Sequence, residues 1–167
     1  MKRTDISDDG RTAAALWIAE TAMYRIDAEE EYYHFCRETI DLCWKWYMIK
    51  NVDRESLYGR VSGDDESLLN IVMETQDENP GLADNYDIIL GSTMYVVWQI
   101  FGYDKEACPE DLNEMTEEGF DDVIDGMLRD KIFEKGTYES LLYYLKENDS
   151  NKNKLSVKTK VIEMAQA

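Results

Sequence analysis

The sequence predicts an all-α fold, a single compact domain of about seven helices. Apolar residues recur at spacings of three and four along most of the chain, the signature of helices with one buried face. No stretch alternates apolar and polar residues for long enough to make a strand. Only two prolines, Pro80 and Pro109, punctuate 167 residues, while 44% hydrophobic and 11% aromatic content supply a core. Residues 1–150 are read as the helical domain and residues 151–167 as a weak C-terminal helix or tail.

A first helix is expected over residues 12–27. Ser7, Asp8 and Asp9 offer acceptors just before it, and Ala13, Leu16, Trp17, Glu20 and Tyr24 fall on one partly apolar face. Residues 28–50 read as a longer helix with a stripe of Tyr32, Cys36, Ile40, Cys43 and Tyr47. Glu29, Glu30 and Glu31 fall in its first turn and Lys45 and Lys50 near its end, as the helix dipole favours. A short helix is expected at Arg54–Tyr58. Asp64 or Asp65 can cap another running to Gln76, with Leu68, Leu69, Val72 and Met73 inward, before an Asn79-Pro80-Gly81 turn.

Residues 83–102 make the most buried-looking helix and are expected at the centre. Pro109 suits the first position of a short helix over 109–115. Thr116 can cap a helix over 117–130 with Phe120, Val123, Ile124, Met127 and Leu128 inward. Thr137 can cap one over 138–147, and Leu155–Ala167 forms the weak helix or tail.

Charge is distributed very unevenly along these elements. Residues 61–130 carry 19 acids against Lys105 and Arg129, a net −17 out of −18 for the chain. No Lys or Arg occurs from Val61 to Tyr103, although ordinary surfaces mix the two signs. Concentrated like charge opposes compaction, and such a field is useful when a cationic partner meets it. A pI near 4.3 argues against direct nucleic-acid binding and against anionic membranes, and favours basic proteins. Glu110, Asp111, Glu114, Glu117, Glu118, Asp121, Asp122 and Asp125 are the expected partner-binding residues, with Asp84 and Asp87 as a second patch. Trp44 and Trp46, two apart, cannot share one helix face, so one of them is a candidate exposed anchor.

No pattern points to catalysis, a metal or a cofactor. Glu31-Tyr32-Tyr33-His34 matches one half of a di-iron motif, but a second Glu-x-x-His needs another histidine and the chain has one. Asp121–Gly126 resembles a calcium loop, yet Val123 and Ile132 stand where ligands belong. Gly-x-Ser-x-Gly and glycine-rich phosphate loops are absent. Cys36, Cys43 and Cys108 read as reduced thiols. The first two, seven apart on a helix, lie roughly 10 Å from each other, beyond disulfide reach. The N-terminus has no secretory h-region and the run Ile88–Phe101 is too short to span a bilayer, so a cytoplasmic location is expected.

In size, helical pattern, acidity and Trp/Tyr richness, roughly residues 5–150 resemble the immunity proteins of bacterial polymorphic-toxin and contact-dependent growth inhibition systems. The resemblance carries over no functional residue by position. It implies a non-enzymatic protein that binds a cognate toxin domain, a basic nuclease with an RNase favoured, and covers its active site with an acidic face. The competing expectations are an acidic helical scaffold or regulatory subunit without a toxin partner, and an enzyme using a carboxylate pair or a metal.

Overall fold

Two helices form the centre, and the others are laid around them. The structure, a computed structural model, describes residues 1–149 and 152–167. Among these it contains α1 (Asp8–Tyr24), α2 (Tyr33–Ile49), α3 (Arg54–Ser62), α4 (Leu68–Gln76), α5 (Pro80–Asp104), α6 (Glu117–Arg129), α7 (Lys135–Glu147) and α8 (Lys154–Ala165), with no strand. Short 3-10 turns occupy Arg3–Asp5 and Glu110–Leu112. The fold is all-α, with eight α-helices among the described residues where about seven were expected. α1 and α5 pack most extensively on each other. α2, α7 and α8 flank α1, and α2, α3 and α4 flank α5.

α1 is buried more completely than its sequence suggests. Ser7 caps it, its Oγ accepting from the Gly10 N–H at 3.1 Å. Every residue from Thr12 to Met23 is then buried, not one partly apolar face alone. Ala13, Ala14, Ala15, Ala19 and Ala22 present so little side chain that neighbouring helices close in from all sides. Tyr24, placed on the apolar face by periodicity, is exposed because the helix ends there. The one acid inside, Glu20, is satisfied by Arg37 and by the Trp44 indole N–H at 3.0 Å.

Several boundaries moved where a cap or turn outcompeted periodicity. α2 starts at Tyr33, so Glu29–Glu31 lie in the preceding turn, organised by the Asp27 carboxylate accepting from the Glu29 N–H. Ser67, not Asp64 or Asp65, caps α4; Leu69 and Met73, expected inward, are exposed. α5 begins at Pro80, because Asn79 caps it and proline suits the first helical position. The expected helix over 109–115 shrinks to one 3-10 turn. α7 starts at Lys135, which leaves Thr137 inside the helix. α8 lies against α1 and α2 with Val157, Val161 and Ala165 buried. Trp44 and Trp46 are both buried, so neither is the exposed anchor: Trp44 turns to Glu20 and Trp46 packs edge-on to Tyr103.

Candidate functional surface

α6 is the most amphipathic helix of the fold. Thr116 caps it as its sequence predicts, its Oγ1 accepting from the Gly119 N–H at 2.9 Å. Phe120 and Ile124 are its buried residues; Val123, expected inward, is exposed. Glu118, Asp122 and Asp125 follow at four and three residues on the outer face, all exposed. Glu110 and Glu114 precede them, lining a shallow depression with Tyr58 and Asp111. Asp111 accepts hydrogen bonds from the Tyr58 and Ser62 hydroxyls. Among the described residues no Lys or Arg forms an ion pair with any of these six acids.

Glu117 and Asp121 behave differently. They share the inner flank of α6 and hold Arg3, which is only 3% exposed. The guanidinium pairs with Glu117 at 2.6 Å and Asp121 at 2.9 Å, and donates to the Tyr95 hydroxyl and the Glu117 carbonyl, each at 2.8 Å. It also lies 4.9 and 5.0 Å from the rings of Tyr95 and Phe120, which stack at 4.2 Å. Burial by itself would lower the Arg3 pKa, but Tyr95, Glu117 and Asp121 outweigh it and hold the group more firmly charged. Thus six acids of the 110–125 stretch are exposed without an ion pair among the described residues, while Glu117 and Asp121 serve the chain's own Arg3, with Arg11 also 3.4 Å from Glu117.

Asp84 and Asp87 are exposed near the start of α5. From Asp84 to Tyr95, beside α6, is roughly 16 Å along the helix axis, so the two aspartates form a separate patch. Partial desolvation, then the neighbouring Asp84 charge, pushes the Asp87 carboxyl above its ordinary range.

A groove of about 690 Å³ adjoins the inner flank of α6 and was not foreseen from the sequence. Trp46 lies at its floor, the half-buried Trp98 and the exposed Tyr103 form walls, and Asp8, Glu106 and Glu117 contribute carboxylates. Asp9 takes both lysines of the groove, Lys50 at 2.6 Å and Lys154 at 3.2 Å. Burial raises the Asp9 carboxyl pKa, but the hydrogen bonds and charges of the two lysines prevail and lower it. Burial, with Lys154 adding repulsion, lowers that of Lys50 despite the Asp9 contact. No local pattern announces this assembly, because its members come from opposite ends of the chain. Among the described residues, no three His, Cys, Asp or Glu side chains gather as a metal site would need. None of the described helices is long and apolar enough to cross a membrane.

With this geometry in place, comparison with known families puts the chain among the bacterial immunity proteins of toxin systems, whose partner is a cognate toxin. Residues 10–129 match the family described as Immunity protein Imm6, and the chain belongs to that family. That span runs from the first turn of α1 to the end of α6, so it includes the central helix pair and the acidic face. No curated protein and no solved structure matches the chain.

Proposed function

We propose that this immunity protein neutralises a basic nuclease toxin, with an RNase as the favoured target, by laying its acidic face over the toxin's active site. The observation that carries the reading is the outer surface of α6 and the turn before it. Glu110, Asp111, Glu114, Glu118, Asp122 and Asp125 lie there without internal cations among the described residues. A nuclease must hold phosphates and so presents Lys and Arg around its active site. A carboxylate surface is complementary to that groove and would compete with its substrate. Glu117 and Asp121 support this face from behind by fixing Arg3, and Asp84 and Asp87 extend the negative field as a second patch. The protein acts by occupancy and carries out no reaction in this reading.

The test is association with the cognate toxin domain, measured across salt. Raising KCl from 50 to 500 mM should slow association on the order of tenfold, since exposed interfacial charges act mainly on the encounter rate. Reversing Glu118, Asp122 and Asp125 to Lys together should abolish protection while the circular-dichroism spectrum stays helical. Asp121 is spared because it holds Arg3. Salt-independent association, or full protection by the triple variant, would show that the acids of α6 serve solubility and not docking.

A further inference from the structure

The groove beside α6 offers aromatic walls where α6 offers only charge. We propose, resting on the basic-partner reading above, that it receives an arginine of the toxin, with the guanidinium stacked on Trp98 and Tyr103 and its charge met by Asp8 and Glu106.

The choice of guest follows from what each wall can accept. Tyr103 is 58% exposed at the end of α5, and Trp98, five residues earlier on the same helix, is half-buried; both line the groove. The Asp8 side chain is 88% exposed with Arg11 at 3.4 Å, and that of Glu106 is 55% exposed with Arg54 at 3.6 Å. Exposed pairs at such separations contribute little, so both carboxylates are free to take a second cation. Of the groove's own lysines, Lys50 lies 4.3 Å from the Trp46 ring and 6.0 Å from that of Tyr103, while among the described residues no cation lies over Trp98. Lys50 and Lys154 are tied to Asp9, and both donate to the Tyr47 carbonyl.

A carboxylate guest would face Asp8, Glu106 and Glu117. A neutral aromatic guest would strip water from the same acids and give them nothing in return. A lysine would bring a compact, strongly hydrated charge that cannot stack. An arginine lays its apolar stem and planar head along the rings while its fork of donors reaches carboxylates. The chain already uses this pairing internally, with Arg60 lying 4.3 Å over Phe35 and Arg3 beside Tyr95 and Phe120. Location agrees as well. Glu117 belongs to both the groove and α6, so the aromatic slot adjoins the inner flank of the helix whose outer side is acidic. A dry anchor bordered by charged residues is the usual anatomy of a tight interface.

The experiment uses the full chain and four tripeptide amides, acetyl-Gly-Arg-Gly and its Lys, Phe and Glu counterparts, at constant ionic strength. The readout is the Trp98 indole N–H resonance, assigned with Trp98→Phe. The arginine peptide should shift it saturably, the lysine peptide should bind at least about threefold more weakly, and the glutamate peptide should leave it unmoved. Tyr103→Ala and Glu106→Gln, both at exposed positions, should each weaken the arginine peptide about threefold to tenfold. Equal binding of Arg and Lys peptides that ignores Tyr103→Ala would reduce the effect to general attraction by acids. Tightest binding of the Phe peptide, or of the Glu peptide, would assign the groove to an aromatic or an anionic guest instead. Protection assays against the toxin separate the two proposals. If Tyr103→Ala/Glu106→Gln protects fully while the α6 triple reversal does not, the arginine slot is wrong and the acidic face stands. The opposite pattern removes the acidic face and keeps the slot.

Discussion

Arg3 is the residue on which the acidic helix depends. Its guanidinium is buried against Tyr95, Glu117 and Asp121, so replacing it leaves carboxylates facing a site that no longer answers them. Arg3→Met should cost about 3 kcal/mol, read as a lower urea midpoint, because breaking one half of a buried pair strands the other. Its partners are partly exposed and water can recover them, which keeps the cost at the lower end of that class. Asp9 gives a pH signature. Its folded pKa lies below the ordinary 3.8 because Lys50 and Lys154 hold the ionised form. The unfolded chain therefore takes up the proton first as pH falls. The stabilisation is complete above the unfolded value and is lost as pH drops through the folded one. Asp9→Asn should be less stable than the wild type at pH 7, and urea midpoints of the two should converge as the pH is lowered beneath the ordinary 3.8 and through the depressed folded value. A constant gap between them across that range would remove this role from Asp9. Cys36 and Cys43 are inert for a related reason: burial pushes both thiols up to about 12.

Among the elements, α6 combines a strong local design with a light attachment. Thr116 starts it, acids fill its first turn and outer face, and two side chains, Phe120 and Ile124, are buried beneath it. Thr116→Ala removes the cap and should cost about 1 kcal/mol. Because α6 sits at the periphery, the loss should appear as local opening. Amide exchange in the first turns of α6 should accelerate roughly fivefold while α1 and α5 amides hold, and uniform acceleration across all helices would contradict a separable α6. α1 has the opposite character. Its alanines and its complete burial make it a spacer around which α2, α5, α7 and α8 close.

The whole molecule carries −18, and residues 61–130 hold nearly all of it. Self-repulsion of that surface works against folding, whereas attraction to the proposed basic partner would use it. Salt should therefore act with opposite signs on the two processes. Raising KCl from 20 to 300 mM should raise the melting temperature by about 2–5 °C while slowing toxin association. A melting temperature that falls over that range would mean that the acids are already compensated within the chain.

The helices were readable because a helix is made by contacts within four residues, all visible in order along the chain. The Thr116 cap, the Phe120/Ile124 anchor and the outer acids of α6 belong to this class, and so does the all-α fold. Boundaries slipped where neighbouring residues compete for one job, as Ser67 does with Asp64 and Asp65. What the order of residues could not show was which charges would find partners. Arg3 meets Glu117 and Asp121 more than a hundred positions away, and Asp9 meets Lys154 from the far end of the chain. Packing of α1 against α5 and α8 makes those encounters. It divides one acidic stretch into carboxylates that hold the protein together and carboxylates left exposed, and it opens the aromatic groove beside the inner flank of α6.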